Sequence, residues 1–169
     1  MGKSKDKKPS IATLLLSQVG QKKTESCLVI CNSSEGGSGE NANDFIEWAN
    51  DIFNSKAIQV ESYDQLLNIG KNKICNSVII INMIAITKTM TMTDFKTKDT
   101  VEKIIDLISI NPVNTQEIIA SQKIFELLIH RRHHNNFVMI IIPERHRLSQ
   151  SVLHCISYTY FKNALYENS

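Results

Sequence analysis

Ser77–Ile86 reads SVIIINMIAI and Phe137–Ile142 reads FVMIII, and the roughly fifty residues between them are mostly helical in character. Unbroken runs of β-branched and long aliphatic side chains suit strands covered on both faces. Parallel strands of that kind need long, usually helical, crossovers, so the pair of runs predicts an α/β protein.

Working outward, Ser26–Asn32 (SCLVICN) reads as a first strand and Lys56–Val60 (KAIQV) as a short second one. Ser151–Phe161 reads as a helix turn followed by a terminal strand, because Val152, Leu153 and Ile156 fit a helix while Ile156, Tyr158 and Tyr160 alternate. A helix is expected at Phe45–Phe53, where Phe45, Trp48, Ala49 and Ile52 share a face, and a short helix or turn at Asp64–Lys71. A further one follows Asp99, with Val101, Ile104, Ile105 and Ile108 as its stripe, and ends at Asn111-Pro112. Thr115–His130 is the longest, with Ile118, Phe125, Leu128 and Ile129 expected on one side. Thr87–Lys98 reads as a long polar loop. The expected fold is a doubly wound, mainly parallel sheet of four to five strands with helices on both faces. Residues 1–24 read as a basic tail with a short helix at Ile11–Val19, and residues 25–169 as a single α/β domain.

Composition narrows the function classes. A net charge of +2 across 169 residues makes no case for a general nucleic-acid binder. No apolar run approaches the ~20 residues of a bilayer-spanning helix. Surface contact with a membrane is left to Lys3, Lys5, Lys7 and Lys8, beside a Gly2 whose motif for acylation would need Ser or Thr at the position of Asp6. The four cysteines form no Cys-x-x-Cys pair and lie mostly in apolar surroundings, which points to reduced thiols and a cytoplasmic setting.

Three segments invite a chemical reading. Gly37-Ser-Gly39-Glu-Asn-Ala42 matches the dinucleotide pattern G-x-G-x-x-A, with Glu61 at the end of the second strand in the place of a ribose-binding acid. The glycines come several residues late, and Glu35 and Glu40 put negative charge where pyrophosphate would lie, so a surface loop is the preferred reading. His130-Arg131-Arg132-His133-His134 and the later Arg145 and Arg147 are basic. Two arginines oppose a cation, so the first cluster reads as a basic helix end complementing the dipole, and not as a metal site. Arg131 and Arg147 are expected at opposite ends of the sheet, as separate patches for an acidic protein partner. Cys31 closes the first strand near the end where open α/β sheets take ligands, but buried packing is preferred for all four thiols.

Ser121–Leu127 (SQKIFEL), Phe137–Pro143 (FVMIIIP), Ile156–Tyr160 (ISYTY) and Cys27–Asn32 followed by Ser33-Ser34 resemble, taken together, a Toll/interleukin-receptor (TIR) domain or its SEFIR relative. The resemblance implies a flavodoxin/TIR-like sheet and an adaptor role. Asp64 and Gly70 would echo the loop through which those domains self-associate, although only Tyr63–Asn76 is available there. Glu126 would stand where some TIR domains carry an NAD-cleaving glutamate.

The function expected is a non-catalytic protein–protein interaction module, an adaptor or a mimic of one, with no resident cofactor and with a homo-oligomer as a compatible state. The rivals are a nucleotide-binding or NAD-cleaving enzyme using Gly37, Gly39 and Glu61 or Glu126, and a structural subunit of a larger assembly.

Overall fold

The structure, a computed structural model, describes residue 11 and residues 25–31, 42–53, 57–69, 73–90, 115–144, 150–162 and 164–168. Within them the strands are β1 (Ser26–Cys31), β2 (Ile58–Val60), β3 (Val78–Asn82), β4 (Phe137–Pro143), β5 (Tyr158–Phe161) and β6 (Ala164–Glu167). The helices are α1 (Ala42–Ile52), α2 (Tyr63–Ile69), α3 (Met83–Lys88), α4 (Thr115–Ile129) and α5 (Gln150–Leu153). The helix expected after Asp99 and most of the one at Ile11–Val19 lie outside the described residues.

The strands form one six-stranded sheet in the order β2-β3-β4-β1-β5-β6. All neighbours are parallel except β5 and β6. The register aligns Leu28 with Ile140 on one side and with Thr159 on the other. The expected α/β class and mainly parallel sheet are therefore present, with six strands where four to five were expected. The additional strand is β6, which folds back on β5 and pairs Tyr160 with Leu165. At the turn, Lys162 takes a φ of 50°, in the left-handed region.

Alternation along the strands sorts the core into two layers. Leu28, Ile79, Ile81, Val138, Ile140 and Ile142 pack with Leu66 of α2, Ile86 of α3, Ile124 of α4 and Val152 of α5. Cys27, Val29, Cys31, Ile80, Met139 and Ile141 face the opposite way and pack with Phe45, Ile46 and Ala49 of α1. β4 is buried along its whole length, as its uninterrupted apolar sequence requires. α1, which lies between β1 and β2 in the chain, covers one face of the sheet, and α2, α3, α4 and α5 cover the other.

Three expectations are corrected. The strand at Ser77–Ile86 stops at Asn82, and Met83–Lys88 is helical. The Asn82 side chain accepts a hydrogen bond from the Ala85 amide at 3.2 Å, a cap that turns the apolar run into a helix, and this helix also takes in the start of the loop expected from Thr87. On α4 the buried positions are Ala120, Ile124 and Leu128, while Ile118 and Ile129 are exposed. Steps of four residues keep the first three on one stripe, and Ile118 and Ile129 fall off it. On α1, Ile46 is buried, whereas Trp48 lies at the edge with its ring 5.3 Å from that of Phe45.

Candidate functional site

The basic segment is built by the way α4 ends. The amide of His130 donates to the Glu126 carbonyl at 3.1 Å and that of Arg131 to Leu128 at 3.3 Å. The chain then tightens: the His134 amide donates to His130, Asn135 to Arg132 and Asn136 to Arg131. Asn135 has a φ of 59°, a conformation that asparagine tolerates better than most residues.

Asparagines clasp this turn to the segment entering β3. Asn135 Nδ2 donates to Asn76 Oδ1 at 2.7 Å, and the Asn76 amide, at a φ of 56°, donates to the His134 carbonyl. The buried Asn136 accepts from the Ser77 amide at 3.0 Å and donates to the Ile74 carbonyl at 2.9 Å. These bonds tie the turn to the segment entering β3 and make it a stiff platform.

What the platform displays is uneven. His130, Arg132 and His133 are exposed, His134 is half-buried, and Arg131 is buried at 7% exposure. The Arg131 guanidinium donates to the Leu128 carbonyl at 2.8 Å and to Ser157 Oγ at 3.5 Å. Burial holds it below the usual guanidinium range and Arg132 adds to this, while Cys155 and Glu25 pull the other way. The imidazoles of His130 and His134 stack at 5.8 Å, and those of His133 and His134 lie 5.2 Å apart. Desolvation, then His133, His130 and Lys73, lower the His134 pKa from 6.5. Among the described residues no group of three or more His, Cys, Asp or Glu side chains is placed to hold a metal ion.

Beside the platform, under the amino ends of β1 and β5, lies a cavity of about 510 Å³. Arg131, Arg132, His154, Cys155, Ser157 and Tyr158 line it, and Glu25, Glu167 and Asn168 complete its polar wall. Its floor is tied by a reciprocal pair of serines. The Ser157 amide donates to Ser26 Oγ at 2.9 Å, the Ser26 amide to Ser157 Oγ at 3.2 Å, and Ser26 Oγ–H to the Cys155 carbonyl. Asn168 Nδ2 donates to the Ile156 carbonyl at 3.0 Å, which brings the end of β6 to the same place.

The remaining sequence candidates are dispersed. Glu61 and Asp64 are exposed at the carboxyl end of β2, where the Gln65 side chain accepts from the Glu61 amide and Ser62 Oγ accepts from the Gln65 amide to start α2. Glu126 is exposed near the end of α4, at the opposite end of the sheet. Gly37, Gly39, Gly70, Arg145 and Arg147 lie outside the described residues. Burial pushes the Cys27 thiol up to about 12 and the Cys31 thiol to about 11, which makes both packing residues and poor nucleophiles. Cys75 is exposed and Cys155 half-buried.

Sequence reasoning singled out the basic segment and missed the cavity. Glu25, Arg131 and Ser157 each precede a parallel strand, and that shared position was the one available signal. It needs the strand order to become a place, because β1 and β5 are neighbours only in the folded sheet. No protein-family model, curated protein or solved structure matches the chain.

Proposed function

We propose that the protein is a non-catalytic interaction module whose principal surface is the turn after α4. It would serve as an adaptor, or a mimic of one, in a cytoplasmic setting, with a TIR- or SEFIR-like character and a doubly wound core as part of the same proposal. One observation carries the reading: the turn is rigidly held by Asn76, Asn135, Asn136 and buried Arg131, yet presents His130, Arg132 and His133 to solvent. A preorganised basic platform favours an acidic protein face, since little ordering entropy is lost on docking.

Capture of proteins from extract by the immobilised chain and by an Arg132→Glu, His133→Glu double variant tests this. The expected result is a stoichiometric acidic partner held by the native chain, released as salt rises and lost in the double variant. Identical capture by both proteins overturns the reading, and so does NAD turnover by the purified chain.

A further inference from the structure

The net charge of +2 hides two surfaces of opposite sign, carried by helices on opposite faces of the sheet. The turn after α4 exposes His130, Arg132 and His133, and Lys73 is exposed on the segment clasped to it. α1 is its counterpart. Asp44, Glu47 and Asp51 recur along one side of that helix, which holds no lysine, arginine or histidine. Glu47 and Asp51 are exposed, and neither forms an ion pair among the described residues. Asp51 stands in the last turn, where the helix dipole favours a cation, so the fold itself gains nothing from its charge. Trp48, between these two carboxylates in the chain, is 38% exposed, with its ring held edge-on by Phe45. A fixed, accessible indole beside carboxylates suits a guanidinium, because the ring face attracts a cation.

Because α1 and α4 cover opposite faces of the sheet, the two surfaces cannot meet within one molecule. Between two molecules they are complementary in charge. We propose that the acidic partner of the turn after α4 is α1 of a second copy of this chain, with Arg132 of one molecule set against Glu47, Trp48 and Asp51 of the next. This rests on the reading of the turn as a platform for an acidic protein face, and names its occupant. The two surfaces differ, so the contact is heterologous and leaves one basic and one acidic surface at the ends of each dimer. Association then continues head to tail.

Sedimentation velocity of the full chain over a range of concentrations tests this, with the fluorescence of Trp48, the sole tryptophan, as a local reporter. At low salt the mean sedimentation coefficient is expected to rise with concentration, and at high salt to fall back as the charges are screened. Trp48 emission should move to shorter wavelength as the ring leaves water. Two double variants, Arg132→Glu with His133→Glu and Glu47→Lys with Asp51→Lys, change exposed positions only. Each should weaken association about tenfold or more by setting like charges together. An equimolar mixture of the two should associate again, because the native turn of one meets the native α1 of the other, a recovery that misfolded variants would not show. The proposal is overturned if the native chain stays monomeric at every concentration, if the α1 variant associates as the native chain does, if the mixture does not recover, or if association leaves Trp48 emission unmoved. A monomeric native chain that still captures an acidic protein through Arg132 and His133 removes the second copy and leaves the platform standing, so the two failures are told apart.

Discussion

Arg131 and Arg132 are adjacent in sequence, yet one is sealed beneath the end of α4 and the other faces solvent. A buried guanidinium is tolerated when its donors meet acceptors, and the carbonyl of Leu128 and the hydroxyl of Ser157 are two of these acceptors. The cluster as read from sequence was five equivalent basic residues; burial makes one of them a strut. His134 shows a related asymmetry, because desolvation and the neighbouring His133, His130 and Lys73 depress its pKa below 6.5. The unfolded chain therefore takes up this proton first as pH falls through 6.5. Stability from this group is present above that pH and is lost on acidification until the folded form is protonated as well. Imidazole proton resonances followed by NMR against pH should place the His134 midpoint below that of an unstructured histidine, and Lys73→Gln or His133→Gln should raise it. A midpoint at or above the unstructured value contradicts the assignment.

At the scale of elements, β3 and α3 show where an apolar pattern stops being informative. Val78–Ile81 and Met83–Ile86 are both apolar, and periodicity does not separate a buried strand from a short buried helix. Asn82 decides, by capping from an extended conformation. Asn82→Ala should cost about 1 kcal/mol, the ordinary worth of such a cap. Urea unfolding should show it as a lower midpoint with an unchanged slope; an unaltered midpoint would remove the cap from the explanation. α2 is started by local chemistry of the opposite kind, with Ser62 accepting from the Gln65 amide and the Gln65 side chain accepting from the Glu61 amide. α4 was legible as a helix but not in its buried face, because Ile118 and Ile129 are as apolar as the Ile124 that the sheet covers.

In the whole molecule, β1 lies between β4 and β5, although β2 follows it in the chain. A flavodoxin-like order would place the first strand between the second and third. β1 and β4 are thus the deepest strands, while β2 and β6 are edges with one neighbour each. Native-state hydrogen exchange should be slowest at amides such as Val29 and Ile140 and markedly faster in β2 and β6. Uniform protection across all six strands would contradict this layering. The amino-acid sequence alone determined the α/β class, the parallel character of the sheet and most of the described helices, because hydrophobic periodicity and capping are local. Tertiary structure alone decided the strand order, the sixth strand, the burial of Arg131 and the cavity, because each depends on which distant segments become neighbours, and no short-range pattern encodes adjacency across the sheet.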